Sequence, residues 1–460
     1  MFRGTLIALS LAAASMASAE TAVPKSQAEI SLGFAPVVKQ AAPAVVNIYA
    51  KIIRQGRASP LFSDPFFRDF FQGRAAPRKR VENSLGSGVI LTEDGYVVSN
   101  YHVVGMATEI RVVTTDRREF EAEVVLGDRE NDIAILKLFG AQGLPSLDLR
   151  DSDQVEVGEL ALAIGNPFGV GQTVSSGIVS GLARSGTATG NARGYFLQTD
   201  APINPGNSGG ALVDVNGDLI GINTSILTRS GGSNGIGFAI PAKLVAEFLR
   251  QAQDGSIAFQ QPWAGMSGQQ MTVDIAESLG LHLPTGFVLS DLHPLSPFAK
   301  AGFRAGDVIT HMDGQEVNSP PEMKFRMAVA GIGGTALVTR YRGGASDQVD
   351  VAMHPAPDEP SAQETTLDDY TVLPGLTVAR ANPAVIVRLA LSVSTEGVAV
   401  VDPGPLGNRA GIRRGDIVVS INGHEIDAPP DVQRTLTDPG RWVRMVLNRR
   451  GQSVSLRFRL

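Results

Sequence analysis

The chain has 460 residues, 43% hydrophobic and 19% charged, enough for about three folded domains with real cores. Lys and Arg number 40 against 46 Asp and Glu, a net charge of -6, so no basic field exists to hold nucleic acid or anionic lipid. Cysteine is absent, which excludes disulfides, thiol catalysis and cysteine-ligated zinc or iron–sulfur centres.

Residues 1–19 combine Arg3, an apolar run from Leu6 to Ala14, and Ala17-Ser18-Ala19, the pattern of a cleaved secretory signal. The run is too short for a membrane span of about 20 residues, so the mature chain is expected outside the cytoplasm. ATP is scarce there, and the sequence has no Gly-Lys dipeptide and hence no phosphate-binding Walker loop. Next, Pro60 to Phe71 places Phe62, Phe66, Phe67, Phe70 and Phe71 in a polar loop, a composition that fits a covered or partner-facing segment. From Val45 to Pro241, β-branched runs alternate with Gly, Asn and Asp. Residues 45–49, 89–91, 110–113, 133–136 and 160–164 read as strands, with turns at Glu93-Asp94-Gly95 and Val215-Asn216-Gly217-Asp218. This predicts an all-β domain, as two barrels or a large sandwich. An amphipathic helix over residues 241–253 follows, with Leu244, Val245, Phe248 and Leu249 on one face.

A repeat comes next. The run from Ala301 through Gly306-Asp307 to Asp313-Gly314 returns from Ala410 through Gly415-Asp416 to Asn422-Gly423, and Pro320-Pro321 returns as Pro429-Pro430. The offset from Ala301 to Ala410 exceeds the roughly 20 to 50 residues of a solenoid unit, so these are tandem domains of one fold. Between them, residues 355–369 hold Pro355, Pro357 and Pro360 with acidic and no basic residues, the composition of a solvated, extended linker.

The strongest chemical signal is Asn204-Pro205-Gly206-Asn207-Ser208-Gly209-Gly210. Glycines beside a serine permit a sharp turn that exposes the hydroxyl and aims the amides of Gly206 and Ser208 into one pocket. A plain glycine-rich turn is the alternative. A nucleophilic serine needs a base, and of the six histidines only His102 lies within the β segment; His282, His293, His311, His354 and His424 fall in or near the repeats. The base needs an orienting carboxylate. Asp132 opens an apolar strand and enters at the edge of the core, whereas its rival Asp128 sits in a polar loop beside Arg129, where solvation or a surface pair explains it. Gly206-x-Ser208-x-Gly210 also satisfies the α/β-hydrolase elbow, but that motif needs a helix after the serine and the order Ser, Asp or Glu, His. Here a hairpin pattern follows Ser208, and the order is His102, Asp132, Ser208, that of chymotrypsin-like double barrels.

Asn100-x-His102-Val103-Val104, Asn131-Asp132-Ile133-Ala134 and the Asn204–Gly210 run together resemble the HtrA (Deg) family of secreted serine proteases, and the repeats resemble PDZ domains. The resemblance implies a mainly β chain: signal peptide 1–19, chymotrypsin-like protease domain 31–255, first PDZ domain 262–356, linker 357–369 and second PDZ domain 370–460. It implies His102 as base, Asp132 as orienter, Ser208 as nucleophile, and an oxyanion hole in the turn Gly206, Asn207 and Ser208. It implies that Thr224, Ser225, Ile226, Leu227 and Thr228 pair with extended substrate, and that the loops around Pro167-Phe168-Gly169, residues 184–193 and residues 231–237 order when a peptide binds. Peptide capture by strand addition falls to Ala264, Gly265 and Met266 in the first module, where Ala264 replaces a bulkier apolar residue, and to Pro374, Gly375 and Leu376 in the second; one module serving only as scaffold is the alternative. The implied function is ATP-independent endoproteolysis of misfolded periplasmic proteins after small aliphatic residues, without metal or cofactor. Hydrophobic C-terminal peptides are implied as ligands, and trimers and larger cages as assemblies. Chaperone activity beside proteolysis is implied as well, and a chaperone or peptide sensor with a vestigial protease is the competing reading.

Overall fold

The structure is a computed structural model that describes residues 33–54, 80–166, 171–185, 195–204, 206–224, 235–281 and 284–459. Among these residues the first half of the chain forms two closed antiparallel barrels. Strands β1 (Val45–Arg54), β2 (Arg80–Ile90), β3 (Tyr96–Ser99), β4 (Glu109–Val113), β5 (Glu119–Asp128) and β6 (Ile133–Leu138) close in the order β1-β2-β3-β6-β5-β4. Strands β7 (Leu160–Gly165), β8 (Thr173–Ser185), β9 (Tyr195–Thr199), β10 (Ala211–Val213), β11 (Leu219–Asn223) and β12 (Gly237–Pro241) close in the order β10-β11-β12-β9-β8-β7. The hairpin β10–β11 after Ser208 turns through Val215 to Asp218, so no helix follows the serine and the elbow reading fails.

Burial explains why β6 reads as a continuous apolar run and not an alternating one. Ile133, Ala134, Ile135 and Leu136 are all buried because one face fills the barrel and the other meets the helix Ala242–Gln253, which packs on both barrels. That helix buries Leu244, Val245 and Phe248. Its core is continuous with both barrels and extends into Phe325 and Ala328 of the next domain.

Each repeat is a sheet flanked by short helices. The first holds β13 (Met266–Gln270), β14 (Phe287–Leu292), β15 (Val308–Met312), β16 (Gln315–Glu316), β17 (Thr335–Arg342) and β18 (Ala345–Ala352), with β13 at an edge and the helix Pro320–Ala330 beside it. The second holds β19 (Thr365–Thr366), β20 (Thr377–Arg380), β21 (Val398–Asp402), β22 (Ile417–Ile421), β23 (His424–Glu425), β24 (Trp442–Arg449) and β25 (Gln452–Arg459), with the helix Pro429–Thr437 in the matching place. The repeated Gly-Asp is architectural: Asp307 and Asp416 are buried, cap their own turns through the amides of Arg304 and Arg413, and pair with Arg342 and Arg449. The acidic linker, expected to be solvated, is held against the second repeat along both halves: the Ala384 amide donates to the Pro357 carbonyl at 3.2 Å and Asn382 Nδ2 donates to the Pro360 carbonyl at 2.8 Å. The Arg380 amide donates to the Ala362 carbonyl at 2.7 Å, and Leu367 is 2% exposed.

Candidate active site

Asn100 lies between β3 and the one-turn helix Tyr101–Val104 that carries His102. Asp132 precedes β6 with φ of 54°, a left-handed conformation that Asp tolerates better than most residues. The pose is fixed from both ends. The Asp132 carbonyl accepts from the Tyr101 amide at 3.1 Å and from Asn100 Nδ2 at 3.0 Å, which ties the two loops side by side. Its carboxylate accepts from the His102 amide at 2.9 Å and from the Thr224 hydroxyl at 3.0 Å. His102 Nδ1 lies 2.8 Å from Asp132 Oδ2 and 3.0 Å from Oδ1. A carboxylate on Nδ1 fixes that nitrogen as the protonated one and leaves Nε2 as a base. The imidazole is about half exposed, with 46% of its side chain open, as a group that must meet substrate requires.

Ser208 comes from the second barrel. Its turn is held by the bond from the Asn207 amide to the Asn204 carbonyl at 3.0 Å and by the exchange of Asn223 with Gly209 and Gly210. Gly209 has φ of 83°, and a β-carbon there would run into the Ser87 carbonyl and the Ser99 hydroxyl, so only glycine fits. Among the described residues neither the Gly206 nor the Ser208 amide has an acceptor, and none of the hydrogen bonds joins Ser208 Oγ to His102. Asn207, included in the expected oxyanion hole, points elsewhere: its amide is committed to Asn204 and its side-chain oxygen accepts from Thr173 at 3.0 Å.

Ser87 is a residue that sequence reasoning missed. It lies in β2 of the first barrel, is fully buried, and joins that barrel to the serine turn. Its amide donates to the Ser208 carbonyl at 2.9 Å, its hydroxyl donates to the Gly206 carbonyl at 2.7 Å and accepts from the Asn166 amide at 2.8 Å, and its carbonyl accepts from Ser99 Oγ at 2.8 Å. The available signal was Gly86-Ser87-Gly88 inside a strand, since glycine there marks close backbone approach. A β-carbon on Gly86 would press on the Val103 side chain, with the Ser208 carbonyl 3.4 Å away.

Of the expected substrate segment, Thr224 turns its hydroxyl to Asp132, while Ser225, Ile226, Leu227 and Thr228 lie outside the described residues. So do the signal segment, the phenylalanine-rich insertion and most of the three loops expected to order on peptide binding. In the first repeat, Ala264 accepts from Ser296 Oγ at 2.6 Å, Gly265 accepts from the His293 amide at 2.8 Å, and Met266 opens β13. Ala264 and Met266 border a groove of about 700 Å³ that is also lined by Phe287, Met323 and Met327, by Asp128 and Glu130 of the protease domain and by Val387 of the second repeat. In the second repeat the Gly375 amide is already donated, to the Leu367 carbonyl at 2.9 Å.

The first repeat docks on the protease domain near the site. Arg326 is buried against Asp153, its Nη2 reaches the Tyr195 hydroxyl at 3.2 Å, and Phe325 stacks on the Tyr195 ring at 4.0 Å. Burial by itself would raise the Asp153 carboxyl, but bonds from Lys243 and Arg326 outweigh it and hold the group below its ordinary range. Lys324 pairs with Glu130 at 2.6 Å, two residues before Asp132.

Two closed antiparallel barrels, with a histidine–aspartate pair on one and a glycine-cradled serine on the other, define a chymotrypsin-like serine peptidase. A trypsin-like peptidase domain model matches residues 86–222, and PDZ domain models match residues 268–353 and 397–449. The chain is 36% identical over 422 residues to a probable periplasmic serine protease do/HhoA-like of Haemophilus influenzae, covering 88% of this chain and 87% of that one. It is 34% identical over 430 residues to the periplasmic pH-dependent serine endoprotease DegQ of Escherichia coli, covering 92% and 91%. Among solved structures, HtrA-type protease AlgW with decapeptide is 41% identical with a TM-score of 0.52, covering 71% of this chain and 99% of that one. The chain belongs to the HtrA (Deg) family and is a serine endopeptidase with two PDZ domains. Among the described residues no helix is long and apolar enough to cross a membrane.

Proposed function

We propose that this protein degrades unfolded polypeptides in the periplasm through an acyl-enzyme on Ser208, without ATP. The observation that carries the reading is the His102–Asp132 pair at 2.8 Å, held in register by Thr224 and by the His102 amide, with the serine turn bolted to the same barrel through Ser87. His102 Nε2 takes the Ser208 proton as Oγ attacks the scissile carbonyl. The oxyanion forms toward the Gly206 and Ser208 amides, which have no other acceptor among the described residues. His102 then protonates the leaving amine, and water, deprotonated by the same imidazole, releases the acyl group. The contact between Ser208 and His102 closes when substrate fills the site, a tightening common to such pairs.

Substrate lies extended along the segment from Thr224 to Thr228 and is cut after small aliphatic residues, and residues 1–19 serve as the export signal. The open first PDZ groove holds hydrophobic C-terminal peptides, trimers and cages enclose the substrate, and holding unfolded chains there gives chaperone activity. Its apolar methionine and phenylalanine lining supports that ligand class. The test uses residues 20–460, wild type beside Ser208→Ala, with a permanently unfolded protein, chelator present and ATP absent. Wild type alone should release fragments, with Ala or Val at their new C-termini by mass spectrometry; cleavage by Ser208→Ala would refute the reading.

A further inference from the structure

The two PDZ domains differ at the edge where a peptide would add. In the first, β13 is an edge strand, and among the described residues the Gly265 amide has no acceptor. In the second, the matching strand β20 is covered by β19, paired antiparallel with Thr365 opposite Val378 and Thr366 opposite Thr377. The ladder runs on at both ends: the Arg380 amide donates to Ala362 at 2.7 Å, and the Leu367 amide donates to Leu376 at 2.9 Å.

Leu367 occupies the place of a ligand's last residue. Its carbonyl accepts from the Gly375 amide at 2.9 Å, the loop donor that would otherwise receive a carboxylate. Its side chain is buried in one cluster with Leu376, Val432 and Leu436. Val432 and Leu436 stand where the repeat places Met323 and Met327, which line the open first groove. The covering is fixed further by Gln433, whose amide group donates to Asp368 at 3.1 Å, and by the Val372 amide, which donates to Leu436 at 3.1 Å.

We propose that the second PDZ domain is filled by the chain's own residues 362–367 acting as a resident ligand, so that each protomer offers one peptide groove, the first. A segment tethered to the site has a high effective concentration, and a free peptide must displace a ladder and a buried leucine to compete. The inference rests on the PDZ fold and is independent of the chemistry at Ser208.

Its test is hydrogen exchange and titration on full-length Ser208→Ala protein, with a fluorescein-labelled decapeptide ending in Ala-Val-Leu and a free carboxylate. The peptide mass is checked after each run, so that cleavage is told apart from failure to bind. The amides of Leu367, Gly375 and Arg380 should exchange slowly before peptide is added. Saturation should bind one peptide per chain, slow exchange at residues 265–270 and leave residues 377–380 unchanged. Met327→Arg should abolish binding, and Leu367→Ser should add a second equivalent. Two equivalents on the parent protein, slowing at residues 377–380, or binding that survives Met327→Arg would overturn the proposal. Because exchange is read on the unaltered second domain, the inference stays decidable even where Leu367→Ser unfolds it.

Discussion

Every polar atom of Ser87 is engaged, and each bond ends on the serine turn or on the strand and loop beside it. Ser87→Ala frees the Gly206 carbonyl and lets the 206–208 turn drift, so the oxyanion donors lose aim. We expect kcat to fall about 10- to 100-fold with KM changed less than about twofold, and a stability loss of about 1–3 kcal/mol from the unpartnered buried groups. Steady-state kinetics on a peptide substrate together with thermal unfolding separate the two effects; an equal change in KM would argue for general loosening. Asp132→Asn keeps the shape but offers an amide that stabilises the wrong tautomer, and should lower kcat by about 10⁴. The pairing of His102 with Asp132 was legible because a base needs an orienting carboxylate and the β segment holds one histidine. Ser87 was not, because it acts on backbone carbonyls, which no sequence pattern names, and Thr224 looked like substrate-facing strand although its hydroxyl is turned inward to Asp132.

At the scale of elements, strand periodicity predicted the barrels well, since alternating or continuous β-branched runs between Gly and Asn turns leave few other ways to bury apolar surface. The repeat likewise gave two copies of one sheet-and-helix unit. What escaped was β19. Two threonines in an acidic, proline-rich stretch carry no strand signal of their own, and Leu367 is ordered by the groove it enters. Composition therefore misjudged the linker, which is bonded to the second repeat from Pro357 onward. Glycine at the serine turn was readable for the right reason, and it yields a sharp expectation. Gly209→Ala must either leave the left-handed region or collide with Ser87 and Ser99, so the variant should lose measurable proteolysis while the first PDZ domain still binds peptide. Retained activity would show that the turn tolerates a β-carbon.

Across the whole molecule, the first PDZ domain is an extension of the protease core. Phe325 and Ala328 share its apolar cluster, and Arg326 is buried beside Asp153 and Tyr195. Asp153 and Arg326 are 173 residues apart in sequence, so no local pattern could pair them. Arg326→Ala leaves the Asp153 carboxylate buried with Lys243 alone and should cost about 3 kcal/mol, read as earlier thermal release of the first PDZ domain in limited proteolysis. The pH dependence has a definite sign. Asp153 binds its proton less readily when folded, so its contribution is complete above about pH 3.9 and is lost as the pH falls through the lowered folded value. Glu322, pushed up by burial on the helix that carries Arg326, works in the opposite sense, losing its contribution as the pH rises. The difference between wild type and Asp153→Asn therefore isolates Asp153, and it should shrink only in strong acid.

The central claim is that Ser208 is the nucleophile and that the His102–Asp132 pair activates it. The most direct measurement is site-resolved labelling of folded full-length protein with a peptidyl fluorophosphonate, read by mass spectrometry of the peptide that carries residue 208. A single adduct on Ser208, formed by wild type and lost in His102→Ala with the fold intact, is the result required. An adduct on another residue, or undiminished labelling of Ser208 without His102, would contradict it.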